Sequence, residues 1–103
     1  MSNDVEIERE IIAKGLTAPR ITLDRVHAQI ASEYFHVIPG TTLTICALTL
    51  KNGFVVTGES AAASPENFDE ALGRKIARGN AVQKIWALEG YQLRTKLAAD
   101  RAA

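Results

Sequence analysis

The chain has 103 residues, 47% of them hydrophobic, and its 12 basic side chains balance its 12 acidic ones. This length fits one domain, and this hydrophobic content excludes wholesale disorder. A protein that binds bulk nucleic acid by neutralising phosphates usually carries a basic excess, so the balanced charge argues against that class. A chain of this size buries only a marginal core by itself, so we expect a homo-oligomer, at least a dimer.

The cysteine content and the first residues bear on the compartment. Cys46 is the only cysteine, which excludes an intrachain disulfide and favours a reducing compartment. The acidic start, with Asp4 and Glu6, is unlike a signal peptide, and no apolar run approaches the ~18 residues of a membrane span. The two histidines and the cysteine lack metal-site spacing. We therefore expect a cytoplasmic protein with no membrane partner, no metal and no cofactor.

Two short helices are predicted before the first strand. Residues 4–14 carry acidic side chains at the start and an imperfect apolar stripe. Thr22 is a predicted N-cap for a second helix over residues 23–31. Such a pair can be a helix-turn-helix, but the second helix is short and offers only Arg25 and His27 to a DNA groove. An arm packed on a sheet or on a partner subunit is therefore favoured.

The middle of the chain predicts an antiparallel sheet. A short strand is expected over residues 34–38. Two longer strand-like runs follow, 41–51 and 54–60, on either side of Asn52-Gly53. Asn-Gly between such runs predicts a two-residue type I′ turn, in which both central residues take positive φ.

The predicted turn fixes the register of the hairpin. It places Leu50 opposite Val55 and Leu48 opposite Thr57, with Val56 on the other face. Both faces of the hairpin are then partly apolar. We therefore expect each face to be covered, one by a helix and one by another subunit.

A long helix is predicted over residues 66–88. Ser64 is a predicted cap, Pro65 suits the first helical position, and Gly90 is expected to kink or end the helix. An apolar stripe with steps of three and four residues is expected to face the core. Its members are Phe68, Leu72, Ile76, Ala77, Ala81, Ile85 and Leu88.

These elements define an α+β fold. We expect an N-terminal helical arm over residues 1–33, then an antiparallel hairpin-based sheet and a long C-terminal helix over 34–103, in one compact domain. Gly73 and Gly79 lie inside the predicted helix, where each costs about 1 kcal/mol relative to Ala. Close approach by another backbone or by a ligand would explain them.

The sequence predicts no enzyme. It contains no nucleophile elbow and no paired-carboxylate motif. Cys46 lies in the middle of a strand between Ile45 and Ala47, where a buried structural thiol is favoured over a nucleophile. We expect no catalytic residues.

The polar face of the long helix carries the arrangement best suited to binding. Arg74 and Arg78 are four residues apart and share a face, and guanidinium groups bind phosphate bidentately. The turn that contains Asn67 offers free N–H groups at a helix start, and Phe68 suits stacking on a purine ring. With Asn80 these residues form the candidate ligand-binding site. The alternative is an ordinary solvated face, with Phe68 in the core.

Three runs of the sequence are distinctive: Ser64-Pro65-Glu66-Asn67-Phe68-Asp69, Gly73-Arg74-Lys75-Ile76-Ala77-Arg78 and Leu88-Glu89-Gly90-Tyr91. With these runs, roughly residues 10–95 resemble a family of short tailed-phage and prophage proteins that is named after podovirus gene products. The resemblance implies a phage or prophage protein of the host-cell cytoplasm.

That family is similar in turn to the phage Thoeris anti-defence sponges. These are oligomers that sequester cyclic ADP-ribose isomers and, in some cases, cyclic oligonucleotides, in pockets built between subunits by a sheet and a following helix. The similarity implies a counter-defence function without catalysis and a pocket formed by Asn67, Phe68, Arg74, Arg78 and Asn80. Two alternatives remain: a module that inhibits or adapts a host protein, and, with less support, a DNA-binding helix pair.

Overall fold

The computed structural model describes residues 3–102. Three strands form an antiparallel sheet in sequence order, with the second strand in the middle, and a 3₁₀ turn at Pro65–Asn67 leads into the last helix. The predicted α+β class, with a helical arm, a hairpin-based sheet and a long C-terminal helix, is confirmed. The elements are α1 (Asp4–Ala13), α2 (Leu23–Ala28), β1 (Ile30–Val37), β2 (Leu43–Leu50), β3 (Val55–Ala61) and α3 (Glu70–Ala102).

Both helices of the N-terminal arm form, but α2 is shorter than predicted. The Oγ1 of Thr22 accepts a hydrogen bond from the N–H of Arg25 at 3.1 Å, so the predicted cap is confirmed. α2 ends at Ala28 instead of residue 31, and β1 begins at Ile30 instead of residue 34. Pairing with β2 extends the strand into this segment, because ladder hydrogen bonds override a weak local helix signal.

The β2–β3 hairpin forms, but its predicted turn type is wrong. Gly53 has φ 90°, whereas Asn52 does not take a positive φ. The Oδ1 of Asn52 instead accepts a hydrogen bond from the N–H of Phe54 at 3.0 Å. The N–H of Leu50 donates to the carbonyl of Phe54 at 2.8 Å. These contacts define a three-residue loop that ends in a left-handed glycine, rather than a two-residue type I′ turn.

The longer loop shifts the register by one residue. Leu48 pairs with Val56, not with Thr57, and Val55 pairs with Thr49, not with Leu50. A shift of one residue changes which side chains share a face. Val56 therefore lies with Leu48 on the face covered by α3, where both are buried.

α3 begins later than predicted. The residues expected to form its first turn, Pro65–Asn67, form the 3₁₀ turn instead, and the helix begins at Glu70. Asp69 caps it, because its Oδ1 accepts a hydrogen bond from the N–H of Leu72 at 3.0 Å. The side chain of Ser64, the predicted cap, makes no capping hydrogen bond.

α3 also ends later than predicted, since it continues through Gly90 to Ala102. Of the predicted stripe, Ala77, Ala81 and Ile85 are fully buried, whereas Leu72 is 53% exposed and Leu88 39% exposed. The buried positions of α3 are Gly73, Ala77, Ala81, Val82, Ile85 and Glu89. None of the helices within residues 3–102 is both long enough and apolar enough to cross a membrane.

The backbone of α3 lies very close to the sheet at Gly58 in β3. A Cβ atom added to Gly58 would lie 2.3 Å from the carbonyl oxygen of Ala77 and 2.3 Å from the backbone nitrogen of Ala81. The small residues on both elements therefore allow the helix backbone to pack close to the backbone of the sheet. The core that forms around this contact consists of Val26, Cys46, Leu48, Leu50, Val56, Ala77, Ala81, Val82 and Ile85.

Gly73 and Gly79, the two glycines predicted to lie close to another backbone or to a ligand, have different surroundings. A Cβ atom on Gly73 would lie 2.9 Å from the Oγ1 of Thr44, which is buried in β2. Gly73 therefore lies close to a side chain of β2, not to the backbone or ligand that was expected. At Gly79 the expectation is wrong, because a Cβ atom there would meet nothing within 4 Å.

Candidate functional site

Arg74 and Arg78, the arginine pair, lie beside the edge strand β1. The Nε of Arg78 donates to the carboxylate of Glu33 at 2.8 Å. An Nη of Arg74 donates to the carboxylate of Glu70 at 2.9 Å, and its guanidinium carbon lies 5.5 Å from the ring centroid of Phe35. The pair thus borders a half-buried aromatic ring, and each arginine holds a carboxylate.

The other three predicted ligand-binding residues lie apart from the arginine pair. The Nδ2 of Asn80 donates to the carbonyl of Glu59 in β3 at 2.8 Å, at the opposite edge of the sheet. Asn67 and Phe68 border a shallow hollow of about 100 Å³ next to the first turn of α3. One chain therefore brings Asn67 together with Phe68, and Arg74 with Arg78, while Asn80 is separate. The five-residue site stays a prediction.

The ion pairs that the two arginines form with Glu70 and Glu33 are weak. The side chains of Glu33 and Glu70 are 43% and 58% exposed. Ion pairs at such exposure contribute about 0–1 kcal/mol, because water and salt screen them. Arginine binds phosphate in the same bidentate geometry as carboxylate, so a ligand with two phosphates competes with these two carboxylates for the guanidinium groups. Phe35, which the sequence analysis did not identify as a site residue, is an aromatic ring beside Arg74.

Cys46 has the properties of a structural thiol. It is fully buried under α3. Burial raises the pKa of Cys46 and the negative charge of Glu33 raises it further, whereas Arg78 lowers it. The protonated thiol is a poor nucleophile. Within residues 3–102 no three His, Cys, Asp or Glu side chains cluster in a way that could hold a metal ion.

Two acidic side chains fix the N-terminal arm: Glu89 joins α2 to α3, and Glu8 joins α1 to the start of α2. The Nε of Arg25 donates to the carboxylate of Glu89 in α3 at 2.7 Å, and Glu89 is buried. The carboxylate of Glu8 in α1 accepts a hydrogen bond from the N–H of Leu23. Val26 of α2 is fully buried in the core. This geometry favours the packed arm over a helix pair that presents Arg25 to DNA.

A groove that the sequence did not predict lies between the hairpin turn and the C-terminal half of α3. This tip groove has a volume of about 920 Å³. Phe54, Leu88 and Tyr91 are its apolar lining, and Lys51 and Lys96 lie at its sides. Tyr91 is 79% exposed. The sequence did not predict the groove, because its walls come from the hairpin turn and from α3, which only the tertiary structure brings together.

The sequence matches a family of phage proteins. The family model described as "Phage protein (N4 Gp49/phage Sf6 gene 66) family" matches residues 21–97, from the start of α2 through most of α3. No curated protein matches, and no solved structure matches. The predicted resemblance to a phage family is confirmed, and the similarity to anti-defence sponges stays a prediction.

Proposed function

Since the chain belongs to the N4 Gp49/phage Sf6 gene 66 family of phage proteins, we propose that it binds and sequesters a nucleotide-derived immune signal of the host. The signal is a cyclic ADP-ribose isomer or a cyclic oligonucleotide, and the protein acts as a counter-defence protein without catalysis. The observation that supports this function is the arginine pair, which presents two guanidinium groups beside an aromatic ring.

The arrangement suits a phosphate-bearing ligand in two ways. Side chains four residues apart on a helix have Cβ atoms about 5–6 Å apart, a spacing that allows two arginines to hold adjacent phosphates. Phe35 lies under Arg74 and offers an apolar surface next to the charge. Sequestration requires affinity and slow release, so it needs no acid, base or nucleophile. The carboxylates of Glu33 and Glu70 leave the guanidinium groups when phosphate binds.

The test is titration calorimetry of the purified protein with cyclic ADP-ribose isomers and cyclic di- and trinucleotides. Wild-type protein is expected to bind one of them, and Arg74→Ala and Arg78→Ala are each expected to abolish binding. Their free energies of unfolding should change by less than about 1 kcal/mol, because the ion pairs they lose are exposed. Arg94→Ala, an exposed arginine further along α3, is the control that keeps binding.

A further variant tests whether the arginine pair binds a ligand or only stabilises the fold. Glu33→Gln removes the carboxylate that competes for Arg78, so it is expected to tighten ligand binding. The proposal is wrong if none of the nucleotides gives heat with wild-type protein. If Arg74→Ala and Arg78→Ala unfold instead, the arginines hold β1 to α3 and have a structural role.

A second candidate function is a module that binds and inhibits or adapts a host protein. The tip groove favours it, because Phe54 is 55% exposed and Tyr91 79% exposed in one concave surface. Lys51 and Lys96 at its sides suit an apolar segment flanked by acidic residues. This function predicts that wild-type protein retains one stoichiometric host protein in a pull-down and that Tyr91→Lys does not. Nucleotide bound to the purified protein would favour the first function instead.

A further inference from the structure

The N-terminal arm and the C-terminal half of α3 border a further cavity, the arm hollow, which has a volume of about 350 Å³. Its wall on α3 is formed by Glu89, Gln92, Leu93 and Lys96. Steps of three and four residues put these side chains on one face of the helix. Side chains of a helix lean toward its N-terminus, so Lys96 is directed toward Gln92.

The lining of the arm hollow carries a net positive charge, although the chain as a whole has no net charge. Arg20, Arg25 and Lys96 contribute three positive charges, and Glu89 contributes one negative charge. A concave surface lined mainly by one sign of charge concentrates ions of the opposite sign. A ligand with two negative charges therefore balances this lining.

The basic side chains of the arm hollow keep hydrogen-bond donors available for a ligand. The Nε of Arg25 donates to the buried carboxylate of Glu89 at 2.7 Å, which fixes the guanidinium. The two Nη atoms carry the other four N–H donors of an arginine. Within residues 3–102 the structure shows no ion pair for Lys96, and the contact of Arg20 with Glu8 is long, at 3.5 Å. These side chains can therefore bind an anion while Arg25 stays on Glu89.

We propose that the arm hollow binds an organic phosphomonoester. At neutral pH a phosphomonoester carries about two negative charges and has three acceptor oxygens. Arginine binds phosphate with paired N–H···O bonds, and lysine adds a point charge. The side-chain amide of Gln92 supplies a neutral donor between the cations. The charge and the donors of the lining thus match this ligand class.

The size and the apolar lining of the hollow indicate that the phosphate carries an organic group. Small-molecule sites have volumes of about 300–1,000 Å³, and a phosphate group alone would fill only part of this cavity. Ile21 and Leu93 are half-buried and supply apolar surface beside the cations. An apolar group that covers them gains from its removal from water.

The arm hollow is separate from the arginine pair. Arg78 and Gln92 lie on the same helix, roughly 20 Å apart along its axis. One small ligand cannot bridge that distance. The cyclic signals proposed for the arginine pair also have no terminal phosphate, so the two sites take different ligands. This inference therefore goes beyond the proposed function and does not depend on it.

The test is a titration of the full chain with phenyl phosphate, followed through the backbone amide signals in NMR spectra. The signals of Gln92, Leu93 and Lys96 are expected to shift with one dissociation constant. Phenyl sulfate has nearly the same shape but a single negative charge, so it is expected to bind about tenfold more weakly. Inorganic phosphate leaves Ile21 and Leu93 uncovered and is also expected to bind about tenfold more weakly.

Variants of the basic side chains locate the phosphate. Lys96→Ala removes one positive charge and is expected to weaken binding of phenyl phosphate about tenfold. Lys84→Ala, which removes another exposed lysine of α3, is the control that keeps binding. Arg25→Ala would leave the buried carboxylate of Glu89 unpaired. Arg25→Lys is therefore the second variant. It keeps a cation beside Glu89, loses the planar fork and is expected to weaken binding by a similar factor. Circular dichroism checks that each variant is folded.

Three outcomes would overturn the proposal. They are unchanged signals of Gln92, Leu93 and Lys96 with phenyl phosphate, equally tight binding of phenyl sulfate or inorganic phosphate, and unchanged binding by Lys96→Ala. Shifts confined to Arg74 and Arg78 belong to the first outcome, and they would leave the proposed function intact. Conversely, loss of cyclic-nucleotide binding at the arginine pair would leave the shifts at the arm hollow unchanged, so the two failures are distinguishable.

Discussion

Gly58→Ala is expected to lower the free energy of unfolding by at least about 2 kcal/mol, and to leave the protein largely unfolded if its total stability is small. The new Cβ would lie 2.3 Å from two backbone atoms of α3, on Ala77 and Ala81. A backbone cannot rotate away as a side chain does. Relief therefore requires the helix to move off the sheet, which opens gaps beside Val56 and Ile85.

The matched control is Gly79→Ala on the same helix. A Cβ there meets nothing within 4 Å, and Ala is a better helix former than Gly by about 1 kcal/mol. We therefore expect Gly79→Ala to raise the stability by roughly that amount. Urea unfolding followed by circular dichroism measures both variants. If Gly58→Ala is as stable as wild type, α3 does not cross β3 at this position.

The order and type of the elements could be predicted from local signals, and the hairpin register could not. Asn52-Gly53 marks the turn, but the pair is compatible with a two-residue loop and with a longer loop that ends in glycine. The difference is one residue of register. It is decided by which strand face packs on α3, and that packing selects Val56 rather than Thr57 to lie beside Leu48.

Local signals also do not predict which residues of α3 are buried. A stripe of large apolar residues predicts which side of a helix is buried, yet Leu72 and Leu88 are partly exposed. The sheet meets α3 at small residues instead, Ala77 and Ala81, because Gly58 brings the backbones close. Glycine inside a predicted strand can indicate that another backbone lies close to it. Gly58 is therefore the sequence feature that points to this contact.

The candidate site was predictable only in part. The spacing of Arg74 and Arg78 on one helix face follows from helix geometry alone. Their neighbours Glu33 and Phe35 come from β1, about 40 residues earlier in the sequence, and only the tertiary structure brings them to the helix. Proximity in sequence groups Asn80 with the arginines. Two residues along a helix correspond to about half a turn, however, so Asn80 faces the other edge of the sheet.

Ile85→Ala and Leu88→Ala are expected to differ by several-fold in their effect on stability, although both lie on the stripe that the sequence predicts. Ile85 is fully buried between α3 and the sheet, and its truncation is expected to cost about 2–5 kcal/mol, from lost apolar burial and the cavity that remains. Leu88 is 39% exposed at the tip groove, so its truncation should cost about 1 kcal/mol or less.

Chemical unfolding of the two variants, done at concentrations where their oligomeric states are matched, measures this difference. Matching is needed because association stabilises the folded chain by mass action. Equal losses for the two variants would mean that Leu88 is buried in the folded protein in solution. Since its own chain leaves that side chain exposed, a second molecule would have to cover the tip groove.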